Sequence, residues 1–236
     1  MLTARLTSPC LQTLLTIAVI AALLGRPVAV SAQQPSLAQL EAQYQKQHEA
    51  ILAVFANGPA KRVYPLDARE RVREWQFELA NSFTEAGNTV DQILQLSPPQ
   101  ADMWRERRET LAVYSKPVTP PTTRTVFGAG EVKPKARLLE SPAAIYTDEA
   151  RAAGAEGEVR IRLVLAADGT VKHVFPMKAL KHGLTESAME AARQIKFTPA
   201  MRDEQQVSQF ATLSYDFKKG KDKSRKPYAP AYEFYF

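Results

Sequence analysis

Apolar residues in the first half of the chain recur at three- and four-residue steps, which is the spacing of one face of an α-helix. The first run begins after Ser36, a residue type that caps helices, and stops at Asn57-Gly58-Pro59. A later run stops at Gly87-Asn88. The pattern predicts four helices, over residues 36–56, 67–86, 90–96 and 100–114. Residues 33–115 are therefore expected to form an all-helical domain.

The second half of the chain contains segments in which apolar and polar residues alternate, as in half-buried β-strands. Residues 158–165 and 206–217 show this alternation. Asp168-Gly169 predicts a turn, after which a return strand covers residues 171–177. Pro176 cannot donate a hydrogen bond to a strand ladder, so the far end of this strand is expected at an edge or a bulge.

The order of these elements predicts an α+β fold for residues 134–217. A short helix over residues 148–153 precedes the first strand, and a helix over residues 184–195 precedes the last one. Because hairpins join the strands, a small antiparallel three-stranded sheet with two helices on one face is the simplest arrangement. Residues 116–133 are rich in Pro and Thr and are expected to link this domain to the separate helical one.

The first 32 residues have the features of an export signal. Arg5 precedes an uncharged, mostly apolar run over residues 14–24, and Val30-Ser31-Ala32 offers small residues for cleavage. An uncleaved membrane anchor is the alternative, but this run is shorter than the roughly 20 apolar residues that cross a bilayer core. Cleavage would remove Cys10, the only cysteine, so the mature chain is expected to lack disulfides and thiolate ligands.

The net charge of +6 is unevenly distributed along the chain. Of 31 Lys and Arg, two lie in residues 1–32 and six in residues 218–236, which leaves 23 in residues 33–217. Of 25 Asp and Glu, only Asp222 and Glu233 lie outside that central part, which again leaves 23. Nucleic acid is therefore not an expected partner, because polyanion binding needs clustered cations. Residues 218–236 form a basic and aromatic tail.

Residues 138–217 contain a series of short motifs in a fixed order. They are Tyr146, Asp148-Glu149-Ala150-Arg151-Ala152-Ala153-Gly154, Gly157-Glu158-Val159, Asp168-Gly169-Thr170-Val171, residues 188–192 and Phe197-Thr198-Pro199-Ala200. This series resembles the carboxy-terminal domain of TonB-family energy transducers, which has a Tyr-Pro step, an Ala-rich helix, a glycine before an alternating strand, a glycine turn, a second helix and a Phe-x-Pro-Ala step. Thr147 stands where the family has proline.

The resemblance implies a periplasmic protein-binding module linked to energy-dependent transport. In the family, the domain binds a segment of an outer-membrane receptor, or of another envelope protein, by adding it to the sheet as an extra strand. The resemblance points to the last strand as the accepting edge, with Ser208, Phe210, Thr212 and Ser214 beside the added strand. In the alternative, this strand is paired or covered by the chain's own tail. Strand exchange between two copies would give a homodimer.

Two departures from the family favour a second function, that of a non-transducing envelope scaffold or adaptor with a helical docking domain. The family's transducers are held in the inner membrane by an uncleaved helix that contains a histidine, and a long proline-rich span follows it. In this chain the apolar run near the amino terminus has no histidine, and the proline-rich stretch is short. Residues 75–104 also weakly resemble a tetratricopeptide repeat. A second copy at the repeat period is not visible, so an amphipathic helical hairpin is the simpler expectation there.

The sequence contains no pattern of catalytic or metal-binding residues. His48, His173 and His182 are scattered without ligand spacing, and no phosphate loop, nucleophile elbow or zincin motif occurs. We therefore expect no cofactor, no metal and no enzymatic activity. The expected location is the periplasm, with membrane contact only if the amino-terminal segment stays uncleaved.

Mass spectrometry of the mature amino terminus tests the export signal. We expect the exported chain to begin at Gln33, because small residues occupy the positions before it. A chain that retains residues 1–32 would instead be an anchored protein, which is the geometry of an energy transducer.

Overall fold

The computed structural model describes residues 34–58, 68–115 and 125–219. The expected export signal, the first part of the expected linker and nearly all of the tail lie outside these residues. The helices are α1 (Leu37–Ala56), α2 (Ala68–Gln95), α3 (Ala101–Ser115), α4 (Asp148–Ala153) and α5 (Leu184–Arg193). The strands are β1 (Val126–Phe127), β2 (Arg137–Glu140), β3 (Gly157–Leu165), β4 (Val171–Lys178), β5 (Lys196–Thr198), β6 (Ala200–Arg202) and β7 (Gln205–Phe217).

The first helix begins with a capping box, as its sequence predicts. The Ser36 hydroxyl accepts the backbone N–H of Gln39, and the Gln39 side chain accepts the backbone N–H of Ser36 at 2.8 Å. These two bonds satisfy donors that the helix start would otherwise leave unpaired. One stripe of α1, containing Leu40, Tyr44 and Ile51, is buried against the other helices.

The second helix continues through Gly87-Asn88, so the predicted helix end there and the predicted separate helix over residues 90–96 are both wrong. The reason lies in the packing of α3 on this stretch. Arg108 pairs with Asp91 at 2.7 Å, and its guanidinium would lie 3.5 Å from a Cβ placed on Gly87. This packing offsets the roughly 1 kcal/mol that a glycine costs in a helix interior.

The predicted α+β fold is confirmed, but the sheet has more than three strands. The five-stranded sheet has the order β1-β7-β3-β4, with β6 also paired to β7, and β2 and β5 form a separate antiparallel pair. Pro199 has no N–H and separates β5 from β6. Asp203 and Glu204, both at positive φ, then turn the chain in a two-residue hairpin between β6 and β7.

One face of the sheet packs against α4 and α5. Alternate residues of β3 and β7 point into this core. Helix α5 supplies small side chains that allow it to lie close to the sheet. The buried members of this core include Val159, Ile161, Leu163, Leu213, Tyr215, Phe217, Leu184, Ala188 and Ala192. The sequence predicts two helices on one face of the sheet, and this is that face.

The opposite face is also covered, because α1, α2 and α3 pack on it. Phe175 of β4 is 4 % exposed and belongs to the helical core, where its ring lies 5.1 Å from Phe83 and 5.9 Å from Tyr114. Arg162, 3 % exposed, lies with its guanidinium 4.7 Å from the Phe210 ring on the same face. The helices and the sheet therefore share a core. The division into two domains at the linker stays a prediction.

Replacing Phe175 with alanine tests this shared core. We expect Phe175→Ala to lower the free energy of unfolding by about 3–5 kcal/mol, because it leaves a cavity between the helices and the sheet. Urea unfolding followed by the fluorescence of Trp75 and Trp104, both buried in the helical core, measures the loss. The control Phe77→Ala, at a position 68 % exposed, should change stability by less than about 0.5 kcal/mol. A loss below about 1 kcal/mol for Phe175→Ala would show that the shared core contributes little.

Candidate functional site: the open edge of the last strand

The outer edge of β4 is protected against further strand pairing. Its pairing with β3 has two irregularities, His173 has a φ of 52°, and Pro176 lacks an N–H, as expected for an edge or a bulge. The Tyr114 hydroxyl donates a 2.6 Å hydrogen bond to the carbonyl oxygen of His173. Bulges, a proline and a covering element are the usual means by which proteins protect an edge.

The other edge of the sheet is covered only where β7 begins. Residues 205–207 pair with β6, and Ser208 and Gln209 lie opposite Val126 and Phe127 of β1 in parallel register. The segment that follows β1 is fixed there, because the Gln209 side chain accepts the backbone N–H of Ala136 at 2.8 Å. Phe127 is buried, with the guanidinium of Arg202 at 4.6 Å from its ring.

The rest of this edge, residues 210–217, is open within the described part of the chain. On one side β7 pairs with β3 along this stretch, from Gly157 opposite Phe217 to Val164 opposite Phe210. On the other side, no described strand pairs with it. We call residues 210–217, on the side away from β3, the open edge. Its backbone groups form a template for an added strand about 26 Å long, at roughly 3.3 Å per residue.

The four residues predicted beside an added strand do not share one environment. Ser208 lies where β1 covers β7, and its hydroxyl accepts the backbone N–H of Ala167. Phe210 lies at the start of the open edge and packs against Tyr114, with 6.0 Å between the ring centroids. Thr212 and Ser214 lie in the middle of the open edge, and both side chains are buried. Their role in binding stays a prediction.

The side chains that alternate with these residues anchor β7 in the core. Leu213, Tyr215 and Phe217 are each at most 1 % exposed and belong to the core beneath α4 and α5. The Phe217 ring lies 6.1 Å from that of Tyr146. A template anchored by large buried side chains does not need to be ordered when a guest strand arrives, which reduces the entropic cost of binding.

A group of charged residues lies on the opposite face near the end of the open edge. Burial acts to raise the pKa of Glu158, but hydrogen bonds from Ser214, Lys178 and Arg160 and the Arg160 charge outweigh it and hold the pKa below its usual value. Glu158 Oε2 is 3.1 Å from an Arg160 guanidinium nitrogen and 3.4 Å from Lys178 Nζ. Ser214 therefore helps to hold an ionised carboxylate at this end of the sheet.

Thr147, the residue that departs from the family's proline, caps helix α4. Its hydroxyl accepts the backbone N–H of Ala150 and donates to the carbonyl oxygen of His182 at 2.6 Å. The same chain position thus begins the short helix and ties it to the loop before α5. The helix ends at Gly154, which has the left-handed conformation (φ 61°) that favours glycine.

Two of the three histidines lie where the helices meet the sheet. The His48 ring is 5.3 Å from the Phe175 ring, and burial lowers the His48 pKa, with Arg107 lowering it further and Glu49 opposing. Burial also lowers the pKa of His173, where Lys172 adds to the effect and Glu109 and Glu106 oppose it. The described residues contain no cluster of His, Cys, Asp and Glu that could hold a metal ion.

The order β3-β4-α5-β7, with a short capped helix before β3, is matched by a known family. Residues 142–218 match the family described as Gram-negative bacterial TonB protein C-terminal. This part of the chain is a TonB carboxy-terminal domain. No curated protein matches the chain. A domain of this family suggests an envelope protein involved in coupling energy to transport.

The TonB carboxy-terminal family consists of protein-interaction domains without enzymatic chemistry, and its members interact with outer-membrane receptors. The family also indicates a location in the envelope. Among the helices of residues 34–58, 68–115 and 125–219, none has the length and apolar character needed to cross a membrane. The match does not include the amino-terminal helices, so the weak tetratricopeptide-like pattern of residues 75–104 stays a prediction.

Sequence reasoning missed the residues that limit the accepting edge. Residues 116–133 are predicted as a linker, but Val126 and Phe127 within this range form β1 and close one end of the open edge. A two-residue strand has no alternation that a sequence pattern could reveal. The available signal in the sequence was that further apolar residues, Ala129 and Val132, follow in the same stretch. The structure buries both of them.

The two interface histidines predict a stability that depends on pH. Their folded-state pKa values lie below the unfolded value of about 6.5, so the unfolded chain binds protons more readily. Their stabilising contribution is present above about pH 6.5 and is lost as the pH falls through that value toward the lowered pKa values. We expect the Tm to decrease between about pH 7.5 and 5.5.

Differential scanning calorimetry of a matched pair of variants checks the assignment. The double variant His48→Gln with His173→Asn should flatten this pH dependence, and asparagine tolerates the positive φ at residue 173. The control His182→Asn, at an exposed position with φ 61°, should retain it. Equal slopes in all three proteins would contradict the role of the interface histidines.

Proposed function

We propose that this protein is a periplasmic TonB-family binding module whose open edge accepts a segment of an envelope protein as an added strand. An outer-membrane receptor segment is the partner class that the family supports. The observation that carries the proposal is the asymmetry of the sheet. One edge is protected by bulges, a proline and helix α3, whereas residues 210–217 have no described strand beside them.

Backbone hydrogen bonds to residues 210–217 would supply most of the affinity. These hydrogen bonds join backbone N–H and C=O groups, so they form whatever side chains the guest strand has. Because β1 covers Ser208 and Gln209, a guest can pair with about eight residues before it meets Phe127. The covered end therefore limits both the length of the guest and its register.

The two rows of side chains along the open edge would supply selectivity. Guest residues on one face would lie beside Thr212 and Ser214, and those on the other face beside Leu213 and Tyr215. The first row is polar and the second is apolar. A guest with alternating polar and apolar residues fits both rows.

A non-transducing scaffold is the second candidate function, and one observation favours it. Helices α1 to α3 pack directly on the sheet through the buried Phe175. In this arrangement the helices are a rigid second surface close to the binding edge, which suits an adaptor. Both candidates use the open edge and differ in whether the chain is anchored in the inner membrane.

Site-specific photo-cross-linking tests strand addition at the open edge. A photoreactive residue at Ala211 or Asp216, both half-buried on β7, should cross-link an envelope protein in intact cells. Mass spectrometry should place the two cross-links about five residues apart in one extended segment, because paired strands advance together. The same residue at the control position Lys172, on the protected strand β4, should give no such product.

Other outcomes would count against the proposal. Cross-links of equal yield from Lys172, or cross-links from residues 211 and 216 that fall in unrelated segments, would indicate contact without strand pairing. A cross-link between two copies of the chain through the same residues would identify the guest as strand β7 of a second copy. This result would support the homodimer instead.

A further inference from the structure

The segment that follows β7 begins at one end of the open edge. The chain leaves β7 at Phe217, and its first two residues are held at that corner. Lys218 Nζ lies 3.5 Å from the Asp216 carboxylate, and the backbone N–H of Lys219 donates to the Glu156 side chain. Residues 220–236 continue directly from this point and fall outside the family match, which ends at residue 218.

The sequence of this segment divides into two parts. Residues 218–230 contain six cationic residues together with Pro227 and Pro230, a composition that opposes strand formation. Residues 231–236, Ala-Tyr-Glu-Phe-Tyr-Phe, contain no proline or glycine and four aromatic residues, which are strong strand formers. We call residues 231–236 the aromatic segment.

We infer that the aromatic segment is an internal guest of the open edge. In this arrangement it pairs antiparallel with residues within 210–217 and competes with a partner's strand for the same backbone groups. The inference rests on the proposed function to the extent that the open edge must be able to accept a strand. It adds that the chain itself regulates access to that edge.

The connection is long enough to allow this pairing. Neighbouring strands lie about 4.8 Å apart, whereas a flexible connection of about thirteen residues has a root-mean-square span of roughly 20 Å. Strands that follow each other in the chain and pair as neighbours are normally antiparallel. Tethering also raises the local concentration of the segment to the millimolar range, so pairing that would be weak between separate molecules becomes effective within one chain.

The side chains of the aromatic segment alternate in a way that suits the two rows of the edge. Tyr232, Phe234 and Phe236 would share one face, and Glu233 and Tyr235 the other. Leu213 and Tyr215 of β7 form an apolar row, and aromatic side chains beside such a row gain stabilising cross-strand contacts. Thr212 and Ser214, on the other face, accommodate the polar partner row.

Amide hydrogen exchange, followed residue by residue by NMR, tests this inference in the full chain without any partner. Backbone amides of residues 210–217 that point away from β3 should exchange on the order of tenfold more slowly in the full chain than in a chain that ends at Lys219. A synthetic peptide of residues 227–236, added at millimolar concentration to the shortened chain, should restore the slow exchange.

Two full-length variants separate pairing from an unspecific effect of the deletion. Tyr232→Ser combined with Phe234→Ser should accelerate exchange at the open edge as the deletion does. The matched control Tyr228→Ser, an aromatic residue between the two prolines, should leave it unchanged. Amides of β3 that point toward β4 serve as an internal reference for global stability.

Equal exchange at residues 210–217 in the full and shortened chains would overturn the inference. That result would leave the proposed function intact, because cross-linking from Ala211 and Asp216 tests the partner independently. If exchange is faster in the shortened chain but no partner is cross-linked, the inference of an internal guest stands and the proposed binding of an envelope protein is contradicted. Cross-linking yields that rise on deletion of residues 231–236 would support both.

Discussion

The pairing of β7 with β3 is the interaction on which the rest of the structure depends. It extends from Gly157 opposite Phe217 to Leu165 opposite Gln209, and it aligns the two strands so that alternate residues point to opposite faces. A shift of one residue would move Leu213 and Tyr215 out of the core and bring Thr212 and Ser214 into it. The burial of these large side chains therefore determines both the register and the backbone groups that remain free on the far side of β7.

The contrast between the two sheet edges follows from what packs on each of them. Helix α3 places the Tyr114 hydroxyl on the carbonyl of His173, and the neighbouring irregularities disrupt further pairing along β4. On the other side, β1 and β6 cover the first part of β7 and then end. Unpaired strand edges associate readily with other strands. A protein that protects one edge and leaves a defined stretch of the other edge unpaired therefore has a surface suited to one kind of guest strand.

The helical part changes what the TonB carboxy-terminal domain presents to its surroundings. Phe175 points away from α4 and α5 and is enclosed by aromatic residues of α1, α2 and α3. The same packing buries Arg162 on the central strand, with the face of the Phe210 ring against its guanidinium. Consequently both faces of the sheet are covered among the described residues, and the open edge of β7 is the part that remains available for pairing.

Local sequence patterns determined most of the helices, the three long strands β3, β4 and β7, and the family of the carboxy-terminal domain, because periodicity and turn residues act over short distances along the chain. The alternation of β3, the turn at Gly169 and the capping box at Ser36 are of this kind. Only the tertiary structure decided that α2 continues through Gly87, that Phe175 joins the helices to the sheet, and that β1 closes one end of the open edge. Each of these depends on a partner distant in sequence: Arg108 beside Gly87, Phe83 beside Phe175, and Ser208 beside Val126. A local sequence pattern cannot predict such contacts, because they form only when the folded chain brings distant residues together.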